Sequence, residues 1–271
     1  MKNNYKLGAI LSVVGIFAGL LLFYLLADIY MVNINGKIAD GRPDESNAVM
    51  ITFAMLGWLG ISAGALWGAV LYGFVHKQPW AWFWGTVAAT LQMLAGFFPM
   101  IPPSSIGLPA PTIWVFLIAN LLWFGMLLIG GVRWKVIALT FVAGLAYVLT
   151  YMDGVANISK FQTTDYNDFW KGIYAMAQMV LWFGAAAWAV FIFAVLKQKS
   201  WAIPLGIFAS LASMIGGFPL ALINIYEAQR FSMFLPAPLI ALGLFIFLWT
   251  PAAQRLITGQ PEYKAEPRYA H

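Results

Sequence analysis

Two acids, Asp28 and Asp153, interrupt otherwise apolar stretches, and each is soon followed by Asn-Ile (Asn33-Ile34 and Asn157-Ile158). A carboxylate inside hydrocarbon is costly to insert and ordinarily marks a function such as a proton or cation path. Read as a pair facing a vestibule, Asp28 and Asp153 form a cation- or proton-linked site. Read as acids at the lipid–water boundary, they need only water or a loop cation such as Lys37 or Lys160. Both stand where their apolar runs end, so the boundary reading is the plainer one. Glu227 is a third acid on the same outer side.

The tetrapeptide Leu108-Pro109-Ala110-Pro111 recurs as Leu235-Pro236-Ala237-Pro238. Proline fits the first helical position, where its missing N–H has no partner to lose. Pro109 and Pro236 are therefore expected to open the fourth and eighth helices after stiff outer turns at 99–111 and 219–238. The alternative is a rigid apolar lip that buries a lipid, ligand or partner. Among intramembrane polar residues, Gln92, Ser213, Asn120 and Gln178 are expected to hydrogen-bond between helices, as such groups commonly do in bilayers. Gln92 and Ser213 hold matched positions in the third and seventh helices.

Other chemistries find little support. The chain has no cysteine and two histidines, His76 and His271. Thiolate nucleophiles, disulfides, iron–sulfur clusters and cysteine-bound zinc are thereby excluded, and no pair of intramembrane histidines exists for haem or chlorophyll. The acidic segments 39–47 and 163–171 lack the EF-hand pattern. There is no nucleotide loop, metalloprotease helix or Ser-His-Asp set. No catalytic residue, metal or cofactor is assigned. Nucleic acid is not expected as a partner. A lipid-modifying enzyme has only the outer acids and Tyr151 in its favour.

The elements that position these residues follow from composition. Of 271 residues, 62% are hydrophobic, 17% aromatic and 9% charged, with mean hydropathy +0.80. A soluble domain carries roughly a quarter charged residues, so this surface faces lipid. A crossing of ~30 Å needs about 20 apolar residues. Eight stretches qualify, near 7–30, 49–75, 80–101, 110–130, 134–152, 172–196, 201–223 and 233–252. The first resembles a signal peptide in its basic start but is long and lacks a small-residue cleavage site, so it reads as a retained helix. Continuous apolarity without alternation argues against a transmembrane barrel. Tryptophans near the stretch ends, such as Trp80, Trp134, Trp201 and Trp249, suit interfacial belts.

Placing the N-terminus in the cytoplasm puts ten of the fifteen Lys and Arg residues inside and eight of the ten acids outside. The positive-inside rule therefore predicts an eight-helix protein with both termini cytoplasmic. The second half also repeats the first. Allowing one inserted residue after Lys77-Gln78 and Lys197-Gln198, Trp80 meets Trp201, Gly85 meets Gly206, Met93 meets Met214, and Gly96-Phe97 meets Gly217-Phe218. The expected fold is an all-α polytopic membrane protein built from two tandem four-helix repeats, residues 1–130 and 131–255, with a polar cytoplasmic tail at 256–271. An even number of crossings per repeat makes the copies parallel, related by an axis along the membrane normal. The glycines at 57, 60, 64 and 68, and Gly184 with Ala187, suit close helix contact.

The function expected from these features is a non-catalytic membrane subunit or scaffold. It would pack against lipids and against other membrane subunits or itself. The alternative is a small transporter or channel with its site between the repeats near the outer face.

Overall fold

The computed structural model describes residues 4–163, 168–229 and 231–259, apart from the side chains of residues 44, 48, 159, 162, 163, 227 and 228. Among the described residues every element is helical. Two compact units divide at Arg133 and Trp134. Unit 1 holds α1 (Tyr5–Ala39), α2 (Pro43–Val75), α3 (Ala81–Phe97), a 3₁₀ turn (Phe98–Met100), α4 (Ile101–Ser104) and α5 (Ile113–Ile129). Unit 2 holds α6 (Trp134–Thr163), α7 (Asp168–Leu196), α8 (Ala202–Ala228), α9 (Pro236–Leu248) and α10 (Pro251–Thr258).

Six helical segments are long and apolar enough to cross a membrane: α1, α2 from Glu45, Ala81–Ser104, α6 to Ile158, α7 and α8 to Tyr226. This is a helical membrane protein. Two of the eight expected stretches form helices shorter than these. Helix α5 has 17 residues, a rise of roughly 26 Å at 1.5 Å per residue. Helix α9 has 13, roughly 20 Å, and is followed by α10 after a bend of 87°. Thr250 makes that corner: its extended backbone ends one helix, and its hydroxyl accepts from Ala253 N–H to cap the next.

Several helices outrun their apolar runs. Helix α1 continues to Ala39 and α6 to Thr163, so Asp28 and Asp153 lie about three turns inside their helices and not at the ends. Segment 39–47, expected as an acidic loop, is a tight turn at 40–42 and then helix from Pro43. Hydropathy ends at the lipid boundary, whereas helix propagates residue by residue through its backbone bonds. Gly41 (φ 76°) supplies the left-handed turn, with Gly41 N–H bonded to Ile38 C=O and Arg42 N–H to Lys37 C=O.

The proline turns also differ from expectation. Pro236 opens α9 at its start. Pro109 does not open α5, which starts at Ile113 after turn bonds from Ile113 N–H to Ala110 and from Trp114 N–H to Pro111. Segment 219–238 is not one long turn, because α8 runs through Pro219 to Ala228. A single proline removes one backbone bond; in unit 1 Pro99, Pro102 and Pro103 together divert the chain into the 3₁₀ turn and α4.

In unit 1, α1 packs on α2, α3 and α5, and α3 packs on α2 and α5. The α1–α2 seam depends on missing side chains. A Cβ on Gly19 would lie 3.0 Å from Gly64 Cα and 3.1 Å from Gly60 O, and one on Gly15 would enter the Trp67 ring. On α3, a Cβ on Gly96 would come 2.8 Å from Phe116 N on α5. In unit 2, α6 packs on α7 and α9, and α8 on α7 and α9. Here a Cβ on Gly184 would be 3.1 Å from Ala212 Cβ. Outward faces stay apolar, with Phe17, Tyr24, Trp58, Leu121, Phe183 and Ile215 exposed.

These contacts separate glycines that hold the seam from those that do not. Gly19→Leu must push α1 off the α2 backbone, and overpacking of this kind costs about 1–3 kcal/mol. Gly68→Ala meets no heavy atom within 4 Å. Thermal unfolding in detergent should show a clear loss for Gly19→Leu and little change for Gly68→Ala. Equal losses would contradict the α1–α2 contact described.

Candidate functional site

In unit 1 the buried side chain that bonds to two other helices at once is Gln92 in α3. Its Oε1 accepts from Trp67 Nε1 on α2 at 2.8 Å, and its Nε2 donates to Gly15 C=O on α1 at 2.6 Å. One amide thus joins three helices. Gln92 and Trp67 are fully buried. The absence of a side chain at Gly15 admits the indole of Trp67 and bares the carbonyl that Gln92 reaches.

Unit 2 contains an arrangement of similar chemistry. Ser213 Oγ on α8 accepts from Trp188 Nε1 on α7 at 3.0 Å and from Thr150 Oγ1 on α6 at 2.9 Å, while donating to Ala209 C=O at 2.9 Å. Trp188, Thr150 and Ser213 are fully buried. In each unit the tryptophan precedes its partner by 25 residues. That common spacing is visible in the sequence, although residue type alone does not mark Trp67, Trp188 or Thr150 as partners.

One turn beyond Thr150, the same face of α6 carries Asp153 and then Asn157, both fully buried. Neither carboxylate oxygen of Asp153 has a hydrogen-bond partner, and Asn157 Oδ1 has none either. Asn157 Nδ2 donates to Asp153 C=O at 2.8 Å. On α7, Trp182 stacks with Tyr151 at 6.0 Å. Its indole edge lies 2.5 Å from where a Cβ on Gly154 would be, and its Nε1 is unpartnered. In unit 1, Asn33 donates in the same way to Ile29 C=O at 2.8 Å and likewise leaves a buried Oδ1 free. An apolar Ile29 there stands four residues before the asparagine, where unit 2 has Asp153.

The remaining candidates are dispersed. Asp28 is exposed on α1, unlike Asp153. Lys37, the loop cation expected beside Asp28, is buried and pairs with Glu45 at 2.5 Å while donating to Ser105 Oγ at 2.9 Å. Asn120 is half-buried and donates to Phe116 C=O within its own helix. Gln178 is half-buried on α7, Pro109 is exposed, and Pro236 is half-buried. The side chain of Glu227 lies outside the described residues. Among the described residues no group of three His, Asp or Glu side chains is placed to hold a metal.

The chemistry available is therefore of two kinds. The Gln92 and Ser213 clusters are closed hydrogen-bond sets that tie helices together. Asp153 with Asn157 is an open set of acceptors. Orphaning Trp67 Nε1 in a dry interior costs about 1–3 kcal/mol, although measured bilayer hydrogen bonds average nearer ~0.6 kcal/mol. A double-mutant cycle on Trp67→Phe and Gln92→Leu should return a favourable coupling of about 0.6–2 kcal/mol. Strict additivity would contradict the bond.

Compared with protein-family models, curated proteins and solved structures, the chain matches none of them.

Proposed function

We propose that this chain is a non-catalytic integral membrane subunit or scaffold that packs against lipids and against other membrane subunits or a second copy of itself. The observation that supports it is the use made of the intramembrane polar groups. Gln92 engages α1 and α2 together, and Ser213 engages α6 and α7. Groups committed in this way lock helices and are not free to line a moving path. The apolar outward faces give such a subunit surfaces for lipid and for other helices.

We read the architecture as two tandem parallel four-helix repeats with both termini cytoplasmic. Three features favour the repeat, and the distribution of Lys and Arg favours the orientation. The spacing Trp67–Gln92 equals Trp188–Ser213. Helices α2 and α7 end in the same capping turn, with Lys77 (φ 54°) and Gln198 (φ 52°) left-handed. Gln78 N–H bonds Gly73 C=O in one turn, and Lys199 N–H bonds Ala194 C=O in the other. This pairs Lys77 with Gln198 in register with Trp80 and Trp201, so the one-residue insertion is not needed. In this reading α5 and α9 complete short crossings with local thinning of the bilayer. Helix α10 turns along the inner interface with Ala253 and Ile257 buried and Arg255 exposed.

A second reading, a small transporter or channel, draws on the open acceptors of Asp153 and Asn157.

Gentle purification from the native membrane should give a reproducible stoichiometric assembly. A clean monomer that carries solute flux after reconstitution would contradict the scaffold reading. Topology is testable at three exposed sites. Cysteines at Ser104 and Asn47 should label from outside, and one at Gln198 only after permeabilisation. Asn47 serves because its neighbour Ser46 is buried and bonded to Pro43 C=O. Labelling of Gln198 in intact cells would overturn the orientation.

A further inference from the structure

We propose that unit 2 holds a binding site for one monovalent alkali cation between Asp153 and Asn157 on α6. The two side chains are one turn apart on one helix face, where residues four apart are neighbours. Both are fully buried. The carbonyl of Asp153 can accept only from the amide nitrogen of Asn157, and that 2.8 Å bond fixes which end of the amide is free. Oxygen Oδ1 of Asn157 and both oxygens of Asp153 are the free acceptors. Three acceptors within one helical turn, with no donor bonded to them, are the complement of a cation. Buried polar atoms in native proteins nearly always have partners, so three together call for an occupant.

The charge and the ligand count set its class. One carboxylate balances one positive charge. Calcium would take six to eight oxygens, usually with several carboxylates, and among the described residues no cluster of three His, Asp or Glu side chains is placed to hold a metal. Thr150 adds a fourth oxygen on the same face, because its proton is committed to Ser213 Oγ and its lone pairs remain. Trp182 Nε1 is an unpartnered donor beside Gly154, but it is bonded to none of these acceptors. Unit 1 supplies an internal comparison: Asn33 has the same free Oδ1, yet Ile29 replaces the acid, so no charge calls for a cation there.

The site is independent of the scaffold reading, since a resident cation and a transported one would both fill it. The test is thermal unfolding of the full chain in neutral detergent, titrating sodium, potassium or lithium chloride against N-methylglucamine chloride at constant ionic strength. At least one alkali cation should raise the midpoint saturably, by about 5 °C or more at high occupancy. Asp153→Asn should abolish the response. Asn157→Ala should move half-saturation to about tenfold higher concentration, equivalent to about 1.4 kcal/mol. Asn33→Ala should leave it unchanged. If Asp153→Asn does not fold, Thr150→Val and Asn157→Ala carry the test through the same shift. A parent protein indifferent to all three cations would overturn the proposal, as would an undiminished response in Asp153→Asn or stabilisation by acid that fully replaces the cations.

Discussion

In each unit an indole N–H donates to a polar side chain on the following helix: Trp67 to Gln92 in the first, Trp188 to Ser213 in the second. Much of the remaining packing is arranged around these two bonds. Hydrocarbon offers no hydrogen-bond partner, so a polar group placed inside a helical bundle must find one there. Tryptophan fills much of the space between helices and brings a single donor. A partner of the right reach then fixes how the helices are rotated. Gln92 is long enough to extend past the indole to a third helix, whereas Ser213 is short and draws Thr150 to itself. The glycines follow from the same constraint. The ring of Trp67 occupies the place of a Gly15 side chain, and α1 comes within backbone contact of α2 at Gly19 and Gly64.

Beyond the bundle centres, the buried charged groups of the two units are treated differently. In unit 1 a buried cation, Lys37, is satisfied by Glu45 and Ser105, joining α1, the start of α2 and the segment after α4. Breaking such a pair ordinarily costs more than the pair contributes, because it leaves one charge buried alone. In unit 2 the buried group is the acid Asp153, and no side chain answers it. A buried acid without a partner is costly to keep in a bilayer, and such acids ordinarily mark a site.

Long apolar runs announced the membrane class, and Gln92 and Ser213 stood out as polar groups within them. The equivalence of Asp28 and Asp153 was less sound. Asn33 follows Asp28 by five residues, whereas Asn157 follows Asp153 by four. One residue turns a side chain by about 100° around a helix, enough to send Asp28 outward while Asp153 points in. The signal was in the spacing, but the shared Asn-Ile pair obscured it. Helix ends were harder to read, because polar residues such as Lys37 continue a helix that is already nucleated and packed. The behaviour of Pro219 and Pro99 depends on neighbouring prolines and on the backbone around them, which residue types in isolation do not convey.

The account stands most directly on the environment of the indoles. Protein labelled with ¹⁵N-tryptophan in lipid nanodiscs would report each ring N–H separately. The Trp67 resonance should shift with Gln92→Leu and the Trp188 resonance with Ser213→Ala, while exposed Trp134 and Trp249 stay in place. Indole resonances for Trp67 and Trp188 that ignore these substitutions, or that exchange with water as fast as Trp134, would contradict it.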